Sequence, residues 1–204
     1  MVQEAMKKRV AANQSVLTWP ERAPFDLSTL TSDPIPLVFD LDGTLINGDS
    51  SMALWRAALK APFRQKLRSI RFSGLDRDHV ILAFKDWALK VVQQFDLAMS
   101  DLSFRPDVVA FAQAAAEVGR PLWLVSGSMN PVVEYFAERL NLEHEIQFAC
   151  VRGSDWPTNL IGHKKAKWLL EHASHGFDYI GDNPIQDHFV WKWSRYSYLA
   201  ATEV

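Results

Sequence analysis

The sequence predicts an α/β fold: a Rossmann-like, three-layer parallel sheet with a helical segment inserted after the first strand. Three observations predict it. Short apolar runs alternate with amphipathic stretches, the pattern of strands joined by crossover helices. One long stretch, from Ile46 to about Phe104, breaks the alternation and carries apolar residues at helical spacing. The conspicuous polar motifs fall just after apolar runs, where open α/β sheets bind ligands.

The elements follow in order. Residues 1–33 are charged and mixed and read as an N-terminal extension, with a short helix to about Leu17 and then a Pro-broken arm. IPLVF, Ile35 to Phe39, is a short apolar run flanked by Pro34 and reads as the first buried strand. Residues 46–104 then form the helical insertion, and residues 34–45 and 105–204 form the sheet core. In the insertion, Trp55, Phe63, Phe72, Phe84 and Trp87 are expected to build a small core of its own. Pro106 opens a helix that Gly119 closes. PLWLV, ending at Val125, is the next strand; it runs into SGSMN, where Asn130 suits an N-cap and Pro131 the first helical turn. IQFACV reads as a strand, NLIGHKKAKWLLEHA as a turn and helix, FDYIGDN as a strand ending at Asp182, IQDHFVWKW as a short helix and YSYLA as a last strand.

Composition excludes several classes. The chain has 204 residues, 48% hydrophobic and 23% charged, enough apolar material for a packed core. Its formal charge of -2 gives no electrostatic footprint for nucleic acid. Cys150 is the only cysteine, so neither a disulfide framework nor a cysteine-rich zinc site forms within one chain; a reducing, cytoplasmic setting is expected. No apolar run reaches the roughly 18 residues of a membrane span.

The motif LVFDLDGTL places Asp40 and Asp42 two residues apart at a strand end. Neighbouring carboxylates repel unless a cation or shared proton relieves them, and Mg²⁺ prefers such oxygen ligands. A carboxylate there can also be a nucleophile toward phosphorus, with its neighbour as acid and base. Gly43 permits a sharp turn that exposes N–H groups. An EF-hand is excluded, because Leu45 and Ser51 stand where its glycine and glutamate belong. LVSGSMNP offers the Ser126 hydroxyl and open N–H groups near a helix start, an anion site. IGHKKAK and YIGDNPIQD supply lysines and further aspartates.

In this order, DLDGT, VSGS, a lysine and GDxxxxD resemble the haloacid-dehalogenase-like hydrolase superfamily, over about Ile35 to the C-terminus, in its phosphoserine-phosphatase-like branch with a helical cap. The resemblance implies a Mg²⁺-dependent phosphomonoesterase acting through an aspartyl-phosphate on a small phosphorylated metabolite or sugar phosphate. Asp40 would be the nucleophile, and Asp42 the general acid and base, whose main-chain carbonyl binds the metal. Ser126 would hold the phosphoryl group, and Lys165, with Lys164 as the alternative, would steady nucleophile and phosphate. Gly43, Thr44 and Gly127 would line the phosphate. Asp40, Asp42 and Asp182 would be the metal residues, with Asp187 and Asn183 supporting. The interval from Asp182 to Asp187 is one residue longer than in many capped members. At least one of Arg56, Arg64, Arg68, Arg71 and Arg77 of the cap is expected to face the site and offer a second anion contact.

A narrower resemblance, carried by NLIGHKKAKWLLE, GFDYIGDN and VW, is to the phosphatase-like domain fused to membrane prenyltransferases of the polyprenyl-phosphate and phosphoribose pathway. It implies an alternative substrate, a polyprenyl-linked phosphoribose, and a chain that acts alone or beside a separately encoded prenyltransferase. A catalytically weak domain that binds a phosphorylated ligand or a partner is the remaining alternative.

Overall fold

The structure, a computed structural model, describes residues 30, 32–60, 76–92 and 94–200. The helix expected near Leu17 lies outside them, as do Phe63, Arg64, Arg68, Arg71 and Phe72.

Five parallel strands form one sheet, β1 Leu37–Phe39, β2 Leu122–Met129, β3 Cys150–Ser154, β4 Asp178–Gly181 and β5 Ser197–Leu199, in the order β3-β2-β1-β4-β5. β1 is central: Leu37 registers with Leu122 on one side and Asp178 on the other. Strand alternation sends successive side chains to opposite faces. Leu37 and Phe39 accordingly join one apolar cluster, and Val38 joins the other. The first face is covered by α4 Pro106–Glu117 and α5 Asn130–His144, through residues such as Phe111 and Phe136. The second is covered by α6 His163–His172 and the short α7 His188–Trp191, through Leu169 and Val190. Burial on both faces explains why the strands read as continuous apolar runs rather than alternating ones.

The inserted segment is helical where it is described: α1 Ser50–Lys60, α2 Arg77–Val91 and α3 Phe95–Ser100. Asp49 and Asp76 cap the first two, each accepting from the N–H three residues on, Met52 at 2.9 Å and His79 at 2.9 Å. Trp55 packs against Phe84 and Trp87, with ring centres 5.7 and 6.0 Å apart. The two ends of the insertion close on each other at a β-like neck, where Asn47 N–H donates to Ser103 O at 2.8 Å and Arg105 N–H to Leu45 O at 2.9 Å. Among the described residues no helix is long and apolar enough to cross a membrane.

Two boundaries differ from the sequence expectation. β2 does not stop at Val125 but continues through Ser126-Gly127-Ser128 to Met129, because it pairs again with β3 at Ser154 after an irregularity. Asn130 is therefore the first helical residue and not the N-cap, which is Met129. Its side chain works across the fold instead, accepting from Gly153 N–H at 2.7 Å and donating to Glu134 Oε1 at 2.6 Å. Likewise the strand expected within IQFACV starts only at Cys150.

Candidate active site

The chain leaves β1 in one direction toward β2 and β3, and returns to its other side as β4. This is the topological switch at which open α/β sheets form a crevice beyond the strand ends. Asp40 follows β1 and Asp182 follows β4, so the switch brings these two carboxylates together without any long-range design beyond the strand order.

Asp40 is buried. Its Oδ1 accepts the Leu41 N–H at 2.8 Å and its Oδ2 accepts Lys165 Nζ at 2.8 Å. Lys165 reaches it from the first turn of α6, donates also to the Tyr179 hydroxyl at 2.9 Å, and stands 3.7 Å from Asp187 Oδ1. Burial opposes the charge on Lys165, but Asp40 and Asp187 outweigh it and raise the ammonium above its ordinary value. Lys164 points elsewhere and pairs with Asp78 at 3.0 Å, about a third exposed. Of the two lysines, Lys165 is the one that contacts Asp40.

Asp187 is held by the Tyr179 hydroxyl at 2.8 Å and by the Asn183 N–H at 3.1 Å. Asn183 Oδ1 accepts from Ile185 and Gln186 N–H groups at 3.0 and 3.1 Å. Two glycines make room for the carboxylates. A Cβ on Gly43, whose φ is +70°, would lie 2.0 Å from Asp182 Oδ2, and one on Gly181 would lie 2.3 Å from Asp187 Oδ2.

Asp40, Asp182 and Asp187 each offer an oxygen within 4.8 Å of the others. Burial, then the charges of Asp40 and Asp187, push the Asp182 carboxyl up to about 7. Three carboxylates facing one ammonium leave a charge excess that a divalent cation would match. Hard, clustered carboxylate oxygens are the donor set that Mg²⁺ takes.

Asp42 sits apart from this cluster. Its Oδ1 accepts the Ser50 N–H at 2.6 Å and its Oδ2 the Ser128 hydroxyl at 2.6 Å. Ser50 opens α1, so the start of the first inserted helix grips this carboxylate, a favourable place for negative charge. Ser128 is in turn 2.8 Å from Ser50 Oγ and 3.2 Å from Ser51 Oγ. Burial raises the Asp42 carboxyl above the ordinary range, against the pull of these hydrogen bonds.

The remaining expected residues lie along the same rim. Ser126 is buried and its hydroxyl accepts the Ser128 N–H at 3.1 Å. Thr44 is buried with its hydroxyl unpartnered. Gly127 carries a carbonyl that accepts Lys85 Nζ at 2.7 Å and Ser154 Oγ at 2.6 Å. Of the cap arginines that are described, Arg56 and Arg77 are exposed. Among the described residues of the insertion, Lys85 of α2 reaches the rim, and burial lowers its ammonium despite the opposing charges of Asp42 and Asp49.

The sequence reading missed Tyr179, Ser128, Ser50 and Lys85. Lys85 had a signal, since it lies on the stripe between buried Leu82 and Ala88, three residues to either side. A groove of about 260 Å³, lined by Asp78, Ile161, Gly162, Ile185 and Phe189 among others, adjoins the first turn of α6.

Comparison with known proteins agrees with this architecture. Residues 37–187 match the family described as haloacid dehalogenase-like hydrolase. A curated relative, the uncharacterized protein y4nM of Sinorhizobium fredii (strain NBRC 101917 / NGR234), is 31% identical over 161 residues, 78% of this chain; the chain spans 28% of that relative's length. Among solved structures, a phospho-aspartyl intermediate analogue of phosphoserine phosphatase superposes with a TM-score of 0.56 at 16% identity, covering 83% of this chain and 88% of the other. A substrate-bound phosphoserine phosphatase gives 0.52 at 12% identity, covering 81% and 93%.

Proposed function

The chain belongs to the haloacid dehalogenase-like hydrolase family, and from that premise we propose that it is a Mg²⁺-dependent phosphomonoesterase working through an aspartyl-phosphate on Asp40. The observation that carries this reading is the pairing of a lysine-held carboxylate, Asp40, with a separately held and raised carboxyl, Asp42. Asp40 stands against the Lys165 ammonium as the nucleophile, and Asp42, held by Ser128 and the start of α1, serves as the proton carrier, the division of labour that covalent phosphoryl transfer needs.

The steps follow from these residues. Asp40 attacks phosphorus, the bond from phosphorus to the ester oxygen breaks, and the departing oxygen takes the Asp42 proton. Water then gives a proton to Asp42 and attacks phosphorus, which breaks the bond to Asp40 and releases inorganic phosphate. Lys165 offsets charge on Asp40 and on the phosphoryl oxygens, and Ser126 with the Gly43–Thr44 turn and Gly127 lines the phosphate. Asp40, Asp182 and the Asp42 carbonyl would hold Mg²⁺, which neutralises phosphoryl charge when bound, with Asp187 and Asn183 supporting. Residues 46–104 act as the cap over this core. A domain that only bound a phosphorylated ligand would have no use for a second acid at Asp42.

The default substrate is a small phosphorylated metabolite or sugar phosphate. The test is turnover of a panel of phosphate esters, including phosphoserine, sugar phosphates and a lipid-linked phosphoribose phosphate, with Mg²⁺ and then with chelator. Phosphate release that stops on chelation and returns with added Mg²⁺ is expected. Equal release in chelator, or none from any ester, would overturn the reading.

A further inference from the structure

Lys165 has two carboxylates within reach. Its ammonium donates to Asp40 Oδ2 at 2.8 Å and stands 3.7 Å from Asp187 Oδ1. All three residues are buried, where an unmatched charge is costly. A lysine is a point charge on a flexible stem, so its own side chain does not favour one aspartate over the other. An ammonium drawn onto Asp187 would leave the charge on Asp40 unmatched.

Tyr179 stands between the competitors. Its hydroxyl is 2.9 Å from Lys165 Nζ and 2.8 Å from Asp187 Oδ1. Chemistry fixes the direction of both bonds. An ammonium only donates and a carboxylate only accepts, so the phenol accepts from Lys165 and gives its own hydrogen to Asp187. Asp187 Oδ1 is thereby satisfied without the ammonium moving onto it. The other oxygen, Oδ2, accepts the Asn183 N–H at 3.1 Å. Each oxygen of Asp187 then has a donor, and Lys165 is left to Asp40.

The tyrosine is firmly seated for this task. It is wholly buried in β4, where it pairs in register with Val38 of the central strand. A Cβ on Gly181 would lie 2.8 Å from Tyr179 Cε1 and 2.3 Å from Asp187 Oδ2, so that glycine makes room for ring and carboxylate together. Phenylalanine would bring the same ring to the core. The hydroxyl is the part that packing does not require.

Resting on the phosphatase reading, we infer that Tyr179 is a positioning residue: its hydroxyl, set between Lys165 and Asp187, keeps the ammonium on the nucleophile Asp40.

The test is a double-mutant cycle on the full chain with saturating Mg²⁺ and p-nitrophenyl phosphate. Tyr179→Phe is made in the unmodified chain and in Asp187→Asn. In the unmodified chain it should lower kcat at least about tenfold, as a charged group shifts by about an ångström, and leave KM within about threefold. In Asp187→Asn the competing charge is gone, and the same change should cost less than about threefold. A hydroxyl that merely packs would cost one factor in both backgrounds, and that result overturns the inference. An unchanged kcat, or a loss confined to KM, overturns it too while leaving the phosphatase reading intact. A crystal structure of Tyr179→Phe reads the geometry without turnover, even where Asp187→Asn is too slow for the cycle. Lys165 Nζ should then lie nearer Asp187 Oδ1 than Asp40 Oδ2, and an ammonium still on Asp40 overturns the inference. No turnover of any ester by the unmodified chain, with the ammonium shifted in that crystal, overturns the phosphatase reading while the placement of Lys165 by Tyr179 stands.

Discussion

Asp40→Asn is expected to abolish hydrolysis, by at least about 10³-fold or about 4 kcal/mol of barrier, without unfolding the chain. An amide cannot form the acyl-phosphate, yet it matches the carboxylate in size and still accepts the Leu41 N–H that Asp40 Oδ1 now accepts. Lys165 would retain Tyr179 at 2.9 Å and Asp187 at 3.7 Å, so the buried ammonium is not stranded. The substitution also removes one of three clustered carboxylates, which relieves repulsion. Phosphate release with Mg²⁺ and circular dichroism check the two halves. Activity within tenfold of the unmodified chain would remove Asp40 from the nucleophile's role.

Lys165→Ala is expected to cost about 10²- to 10³-fold in kcat/KM, the range for losing one preorganised charge-stabilising group. Lys164→Ala should stay within about threefold. The two neighbours differ because α6 points them apart: Lys165 is 4% exposed against Asp40, whereas Lys164 is 30% exposed against Asp78. An exposed pair of that kind is worth about 1 kcal/mol at most. Lys165→Ala would also leave Asp40 and Asp187 buried without their cation, so its melting temperature should fall further than that of Lys164→Ala. Kinetics and thermal melts on both variants decide it, and the reverse ranking would move the site lysine by one position.

Asp40, Asp182 and the lysine pair were legible because position along the chain encodes position in space here: residues just after buried apolar runs end up at one sheet edge. Sequence alone could not choose between Lys164 and Lys165, since the choice depends on the rotation of α6 after Gly162, whose φ is +52°. Tyr179 was hidden inside a strand, where a tyrosine is ordinary core. Only the register of β4 against β1 places its hydroxyl between Lys165 and Asp187. Ser128 was hidden because β2 runs past Val125 to Met129, and the pairing of Met129 with Ser154 that extends it is a long-range contact. The strand expected in IQFACV begins late, at Cys150, for the same reason, since apolar character before Cys150 does not decide where ladder pairing begins.

The most direct test of an aspartyl-phosphate mechanism is to trap the intermediate in Asp42→Asn. The amide at position 42 can neither protonate the leaving oxygen nor take a proton from water. With a phosphate ester whose leaving group needs no proton, such as p-nitrophenyl phosphate, the first step should proceed and the second should stall. Acid quenching followed by peptide mass spectrometry should find one phosphate per chain, on Asp40, labile to hydroxylamine and absent from the Asp40→Asn, Asp42→Asn double variant. Stoichiometric release of p-nitrophenol with no phosphate on Asp40 at any time point would contradict the account.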